Sequence, residues 1–254
     1  MRQYIKKIKP FIPDFIFKIL RSYLTAFLTP IYFSINTGHF TSSIKNRSLN
    51  KFNKPIPWYT YPCIDFIDKI DFSKKKILEF GAGQSTLWWG NKSKKVLSFE
   101  NDMLWFEKIN SQKNFNTEVV FINNKNDIET GTINNNKIKN YCPDVIIIDG
   151  GINRYTSLKI SLKYIKNDGI VIIDNSEGYY EKEDKFKIYP MLNYLQKKNY
   201  QRIDFYGYAP GVILPHTTSL FFKTETFLFN NQGYPKMSEN SEFYKDLLNY
   251  KNND

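Results

Sequence analysis

Cysteine and histidine are scarce in this chain, which has two of each among 254 residues. The cysteines, Cys63 and Cys142, lie about 80 residues apart, so they form neither a disulfide framework nor the close pairs of a zinc site. This excludes disulfide-rich folds and Cys/His metal proteins, and it favours a reducing, cytoplasmic compartment. His39 and His216 show no general-base pattern, and we expect both to be structural or exposed.

Uninterrupted apolar runs are also missing. The most apolar N-terminal stretch, residues 11–33, is broken by prolines and charged residues at Pro13, Asp14, Lys18, Arg21 and Pro30. A membrane-spanning helix needs about 20 mostly apolar residues, so we expect neither a span nor a signal peptide in this stretch.

The formal net charge is +11, and the basic excess is concentrated near the N-terminus. Residues 1–54 hold ten Lys or Arg and one acid, whereas the rest of the chain holds 26 basic and 24 acidic residues. We therefore expect the N-terminal element to meet an anionic partner. The nearly neutral remainder does not have the charge of a nucleic-acid-binding surface.

Residues 14–28 have the periodicity of an amphipathic helix, with apolar positions at Ile16, Ile19, Leu20, Tyr23, Leu24 and Phe27. Two interpretations stay open. Residues 1–30 bind an anionic membrane surface, which makes the protein peripheral at the inner face of the membrane. Alternatively, the apolar stripe packs on the rest of the chain or on a second subunit. The oligomeric state is not indicated by the sequence.

From residue 75 the pattern alternates between strand and helix, which predicts an α/β fold with a largely parallel sheet. The predicted strands are 76–80, 96–100, 118–122, 144–149, 169–174, 202–206 and 218–223, and the predicted helices are 85–91, 103–110, 155–165 and 187–198. The fourth and fifth strands are apolar throughout, as strands buried on both faces are. We divide the chain into an N-terminal extension and arm (1–56), a main α/β domain (57–224) and a tail (225–254).

A glycine-rich turn follows the first predicted strand, in the segment Glu79-Phe80-Gly81-Ala82-Gly83-Gln84-Ser85-Thr86. In open α/β sheets a ligand binds beyond the carboxyl ends of the strands. Glu79 places a carboxylate two residues before the first glycine, which suits a cationic ligand. Glu100 ends the next strand about 20 residues later, where a carboxylate can accept the hydroxyls of a ribose.

NAD is the main rival ligand for this turn. A dinucleotide-binding turn has Gly-x-Gly-x-x-Gly, and Thr86 stands where its third glycine would be. Glu79 would also lie near an anionic pyrophosphate. A third interpretation is a fold that has lost ligand binding.

With these residues the chain resembles the class I S-adenosylmethionine (SAM)-dependent methyltransferases. The resemblance covers residues 60–224 and implies a Rossmann-like seven-stranded sheet of order 3-2-1-4-5-7-6, with strand 7 antiparallel and helices on both faces. It implies SAM as cofactor, held by Glu79, Gly81, Ala82, Gly83, Ser85, Thr86, Glu100 and Asp149. The segment Pro57-Trp58-Tyr59-Thr60-Tyr61-Pro62 is similar to the lead-in of a bacterial subgroup associated with surface-glycan genes.

The resemblance implies methyl transfer, chiefly to an oxygen, of a small molecule or of a glycan or lipid-linked precursor. The alternative is a non-catalytic membrane-associated or assembly protein that retains the fold. The loop Asp149-Gly150-Gly151-Ile152 differs from the Asp/Asn-Pro-Pro-aromatic loop of nucleic-acid amino methyltransferases. That difference argues against a nucleic-acid substrate.

Acidic and amide side chains follow the fourth and fifth strands at Asp149, Asp174 and Asn175, and they should meet at one rim of the sheet. This layout is similar to that of metal-dependent catechol-type O-methyltransferases, where such residues hold Mg²⁺. The alternative is that Asp149 acts without metal, as a catalytic base or an acceptor-binding group.

Candidate acceptor-binding residues lie around this rim. They are Trp58 and Tyr59 in the lead-in, Arg154 after the fourth strand, and Asn175 and Glu177 after the fifth, followed by Tyr179 and Tyr180. Trp58 and Tyr59 would stack on an acceptor or merely fix the arm, and Arg154 would bind an acceptor or a nearby carboxylate. Residues 123–143 are an Asn-rich insert with a predicted hairpin at 131–136, and the tail has one predicted helix at 242–250.

Overall fold

The structure is a computed structural model that describes residues 10, 12–123, 135–150, 153–177, 187–229, 237–238 and 241. The seven strands are β1 (Lys76–Phe80), β2 (Lys95–Glu100), β3 (Thr117–Phe121), β4 (Val145–Ile148), β5 (Ile170–Asp174), β6 (Gln201–Gly207) and β7 (His216–Phe222). They form one sheet of order β3-β2-β1-β4-β5-β7-β6. β7 runs antiparallel to both β5 and β6, and the other neighbours are parallel. The predicted strand order is confirmed, and the fold is the Rossmann-like class I methyltransferase fold.

Helices cover both faces of the sheet. They are α1 (Asp14–Asn36), α2 (His39–Lys45), α3 (Tyr61–Asp68), α4 (Gln84–Lys92), α5 (Met103–Asn110), α6 (Asn135–Tyr141), α7 (Arg154–Ser161) and α8 (Ile188–Lys197), and a short 3-10 turn spans Phe227–Phe229. β4 shows why the central strands are apolar throughout. Val145 and Ile147 face a cluster with α3 and α4, whereas Ile146 and Ile148 face a cluster with α7 and α8.

Four details differ from the sequence predictions or escape them. α1 continues to Asn36 through Pro30, whose missing N–H leaves the Ala26 carbonyl without its helical partner. The arm contains α2, which is not among the predicted helices, and the hairpin predicted at 131–136 overlaps the start of α6. The rest of that hairpin, Tyr179, Tyr180 and the predicted tail helix lie outside the described residues.

α1 stands apart from the core. All 23 of its residues are described, and none of them is buried. Its C-terminal end is fixed by the ring of Phe33, which lies 5.3 Å from Tyr61, 5.6 Å from His39 and 6.2 Å from Tyr208. The interpretation in which the apolar stripe packs on the chain's own core is therefore wrong. Among the described residues, no helix is both long and apolar enough to cross a membrane.

Candidate active site

The turn after β1 is built against the end of β4. Gly81 has a φ of +106°, and a Cβ on it would lie 2.3 Å from the amide nitrogen of Gly150. The Phe80 carbonyl accepts the N–H groups of Asp149 and Gly150, at 3.0 and 2.8 Å. Position 81 therefore requires glycine, both because its φ is positive and because the backbone of Gly150 leaves no room for a Cβ. The sequence argument attributed this glycine to a ligand, but the structure attributes it to the fold.

Glu79 is fully buried and holds the turn from beneath. Its carboxylate accepts hydrogen bonds from the hydroxyls of Ser85 at 2.5 Å, of Ser98 at 2.8 Å, and of Thr86. Burial raises the pKa of Glu79 to about 7 despite these donors. The side chain is thus used within the protein, where it holds the hydroxyls of the turn in place.

Glu100 fixes the same turn from the β2 side. Its Oε2 accepts the N–H of Ala82 at 2.7 Å, and its Oε1 accepts those of Asn101 and Asp102 at 2.7 and 2.8 Å. A carboxylate has about four acceptor positions, so three are occupied here. Glu100 can accept one ribose hydroxyl without breaking a bond, rather than the two that the sequence suggested.

Gly83 is the position in this turn where space is left open. A Cβ placed on Gly83 would meet only the Ser85 hydroxyl, at 3.8 Å. The backbone N–H groups around it have partners inside the protein. Gly81 donates to the Phe99 carbonyl, Ala82 to Glu100, and Gly83 to the Thr86 hydroxyl at 3.0 Å. The turn is thus rigid, and it presents an unfilled space rather than a set of N–H donors for a phosphate.

A pocket of about 620 Å³ opens beyond the ends of β4 and β5. It is lined by Trp58, Asp149, Asp174, Asn175, Gly211, Val212, Ile213, Leu214 and His216. The predicted rim residues thus meet in one place. Asn175 has a φ of +51°, a strained conformation that asparagine tolerates better than most residues.

His216 was expected to be structural or exposed, and the structure places it in the lining of this pocket. The antiparallel register pairs Asp174 with Thr218, which brings the start of β7 to the rim where β5 ends. The Nε2 of His216 lies 3.4 Å from Oδ1 of Asp174, outside hydrogen-bond geometry, while Thr218 donates to the same oxygen at 2.6 Å. A polar residue just before an antiparallel strand beside an acidic strand end is the signal that could have found it.

Two side chains at this rim, Asp149 and His216, have raised pKa values. Burial, together with the nearby carboxylate of Asp174, raises the pKa of Asp149 to about 7. Burial lowers the pKa of His216, but the Asp174 carboxylate outweighs it and raises that pKa above its ordinary value. Near neutral pH, Asp149 can therefore hold or release a proton, and His216 in the same pocket is protonated more readily than an ordinary imidazole.

Arg154 has a different role from the predicted ones. It is buried, and its guanidinium donates to the backbone carbonyls of Asp174 at 2.7 Å, of Gly150 at 3.3 Å and of Asp149. Arg154 therefore links the backbone that follows β4 to the end of β5. Arg154 thus binds backbone carbonyls of the protein, and its predicted contact with an acceptor stays a prediction.

The lead-in residues divide between pocket and core. The indole of Trp58 donates to the Pro210 carbonyl at 2.8 Å and packs edge-on against Trp105, so it bridges from α5 to the pocket. Tyr59 is fully buried and lies beside Trp89, which corrects the expectation that Tyr59 stacks on an acceptor. Glu177 is exposed and accepts the N–H of Thr217, at the rim beside the pocket.

We expect the thermal stability of the wild-type protein to fall as pH rises from about 5 to 8. The pKa of Asp149 is raised in the fold, so the folded state binds more protons than the unfolded state in this range, and raising the pH costs stability. One pKa unit is worth about 1.4 kcal/mol. Asp149→Asn should therefore stabilise the protein by about 1 kcal/mol or more at pH 8 and make the profile less steep, measured by calorimetric melting, while Glu79, whose pKa is also raised, keeps part of the slope. Asp65→Asn, on the exposed side of α3, is the control and should leave the slope unchanged. An equally steep slope in Asp149→Asn would contradict the argument.

Among known proteins, only solved structures match this chain. No protein-family model matches the sequence, and the search of curated proteins gave no match. Among solved structures, the chain is similar to the O-methyltransferase TomG from Streptomyces achromogenes, solved with SAM. That match has 14% identity and a TM-score of 0.48, over 60% of this chain and 74% of TomG. It is also similar to a precorrin-6y C5,15-methyltransferase from Geobacter metallireducens, with 11% identity and a TM-score of 0.48, over 62% and 85% of the two chains. Identities this low leave the chemistry to be argued from the residues of the site.

Proposed function

We propose that the protein is a SAM-dependent methyltransferase that methylates an oxygen of its acceptor. The observation that carries the proposal is the open space at Gly83, between the buried carboxylates of Glu79 and Glu100. A cationic sulfonium beside the turn would favour the charged forms of both carboxyl groups, whereas the pyrophosphate of NAD would be repelled by them. The internal pairing of the N–H groups at Gly81, Ala82 and Gly83 points the same way, because a pyrophosphate would require them as donors.

The residues around the turn fit SAM. Gly83 leaves the space, Ala82 and Ser85 border it, and Glu79 and Thr86 hold the turn in shape. Glu100 accepts a ribose hydroxyl at its remaining position. When bound, SAM supplies a methyl group on a positively charged sulfur for direct displacement by the acceptor oxygen. The contribution of the protein is to place the acceptor in line with that methyl and to remove its proton.

Asp149 is the proposed base for the acceptor hydroxyl. It follows β4 directly, adjoins the turn through Gly150, and lines the pocket. His216 and Asp174 adjoin it and receive the proton or hold the acceptor in place. Trp58, which reaches from α5 to the mouth of the pocket, covers the acceptor.

A magnesium ion fits the rim less well than proton transfer does. Among the described residues, no three Asp, Glu, His or Cys side chains converge as metal ligands, so a metal at this rim would have two carboxylates and the Asn175 amide as its protein ligands. One oxygen of the Asp174 carboxylate already accepts a hydrogen bond from Thr218. His216 lies beside this oxygen and favours its own protonated state. Asp149, Asp174 and Asn175 remain the residues to which a metal would bind, and we route no step through one.

Calorimetry with the full-length protein tests the proposal. We expect SAM and its product S-adenosylhomocysteine to bind with one-to-one stoichiometry, and NAD⁺ not to bind. Glu100→Ala should weaken SAM binding at least about tenfold, since a charged hydrogen bond to the ligand is worth about 1.5–3 kcal/mol. The matched control is Glu107→Ala on the exposed face of α5, which should keep wild-type affinity. Absence of SAM binding by the wild-type protein would favour the alternative of a non-catalytic protein that retains the fold.

A further inference from the structure

The largest exposed apolar surface of the described chain is α1. Eleven of its large hydrophobic side chains are exposed: Phe15, Ile16, Ile19, Leu20, Tyr23, Leu24, Phe27, Leu28, Ile31, Tyr32 and Ile35. At 100° per residue, nearly all of them fall on one broad arc of the helix, with Lys18, Arg21, Ser22, Thr25 and Thr29 on the opposite strip. Contiguous exposed apolar surface of this extent marks a docking surface.

The polar strip is suited to a partly dry environment. The hydroxyls of Ser22 and Thr25 donate to the carbonyls of Lys18 and Arg21 within the helix, at 2.9 and 2.8 Å. These hydroxyls therefore need no water, and the two basic side chains are left to face an anionic layer.

A second exposed apolar surface lies at the mouth of the pocket. In the loop between β6 and β7, Ile213 is 88% exposed and Leu214 is 76% exposed, and both line the pocket. This loop is joined to the base of α1. Tyr208 packs against Phe33, and the N–H of Gly211 donates to Nδ1 of His39 at 3.3 Å. A Cβ on Gly211 would lie 2.8 Å from the amide nitrogen of Ser43, so loop and α2 are in direct backbone contact.

We propose that α1 and the Ile213–Leu214 loop dock together on an anionic lipid bilayer, which places the mouth of the pocket at the membrane surface. Charge decides between a bilayer and a second copy of this chain as the partner. Residues 1–54 carry ten basic residues and one acid, so pairing two copies through α1 would bring two strongly basic segments together. An anionic bilayer attracts the same segments while its acyl boundary takes up the apolar arc.

The test is co-sedimentation of the full-length protein with phosphatidylcholine vesicles, with and without phosphatidylglycerol. We expect binding at least about tenfold tighter on the anionic vesicles, and weaker as salt is raised. The pair Leu20→Glu with Leu24→Glu puts two charges on the apolar arc and should abolish binding. The matched pair Ser22→Glu with Thr25→Glu puts the same charges on the polar strip and should retain a substantial part of it. Ile213→Asn with Leu214→Asn should weaken binding less than the Leu20 and Leu24 pair does.

Three results would overturn the proposal. One is an absence of vesicle binding by the wild-type protein. This includes the case in which the wild type is a dimer and the variant Leu20→Glu with Leu24→Glu is a monomer. Another is an equal loss of binding in both glutamate pairs. The third is a fall in the melting temperature of the variant Leu20→Glu with Leu24→Glu, because it would show that α1 packs in the core. A pocket mouth at the membrane surface implies a lipid or lipid-linked acceptor, and this implication rests on the proposed methyl transfer. Vesicle binding needs no SAM, so the calorimetry above fails or succeeds independently of it.

Discussion

Gly83→Leu is expected to abolish SAM binding, with a loss of at least about a hundredfold, while the protein stays folded. The space beside Gly83 is open in the structure, so a side chain there fills the proposed ligand site and meets no protein atom closer than 3.8 Å at its Cβ. Its backbone is extended, with a φ of −165°, a conformation that any residue adopts. Leucine is a poorer residue than glycine at the start of a helix, which should cost about 1 kcal/mol at most.

Gly81→Ala is the matched comparison, because it changes the other glycine of the same turn. Here the added Cβ would lie 2.3 Å from the Gly150 nitrogen, and the φ of +106° disfavours any side chain. The backbone strain and the overlap together should cost at least about 3 kcal/mol. At about 2–4 °C per kcal/mol for a domain of this size, the melting temperature should fall by about 6 °C or more. Calorimetry and thermal melting on both variants separate a ligand site from a folding requirement. Wild-type SAM affinity in Gly83→Leu would overturn the assignment of the turn.

Asp149→Asn is expected to lower methyl transfer by at least about a hundredfold, the usual scale of general-base catalysis. The substitution keeps the size of the side chain and the bond of its N–H to the Phe80 carbonyl, so SAM affinity should change little. In the wild type, activity should rise with pH and level off above about 7, as the raised pKa of Asp149 requires. His216→Asn should shift this profile to a different pH.

The activity of the wild type and of each variant is measured as transfer of tritiated methyl groups from SAM into a total lipid extract or a small-molecule extract. The same assay with excess EDTA addresses the metal, and we expect activity to persist. Loss of activity in chelator with recovery in Mg²⁺ would reassign Asp149, Asp174 and Asn175 as metal ligands. Full activity of Asp149→Asn would remove Asp149 from the reaction.

The sheet could be predicted because each of its strands leaves a local signal. β4 and β5 are apolar on both faces, and two glycines mark the turn after β1, although the sequence did not show that Gly81 serves the backbone rather than a ligand. The positions of Asp149 and Asp174 followed from the parallel sheet, since both strands end at one rim. These predictions required only local patterns and the rule that parallel strands share their direction.

The roles of Arg154, Tyr59 and His216 could not be predicted in this way. Whether a guanidinium meets an acceptor or buried carbonyls depends on where the first turn of α7 places it, which the sequence does not state. Tyr59 is buried because the arm is fixed along β6 and β7, through Thr60 bonds to Thr218 and to the Phe205 carbonyl. His216 enters the pocket through a strand register that joins residues far apart in the chain.

Pro30 divides α1 into two parts with different attachments. The part after Pro30 is fixed to the domain through Phe33, whereas the part before it has no buried residue. The Ala26 carbonyl receives no helical hydrogen bond across this point, so bending the helix here breaks fewer bonds than bending it elsewhere. The outer part can therefore lie flat on a surface while the domain tilts above it. A pocket carried on such a joint can reach acceptor groups that stand at different heights, without releasing the helix that anchors it.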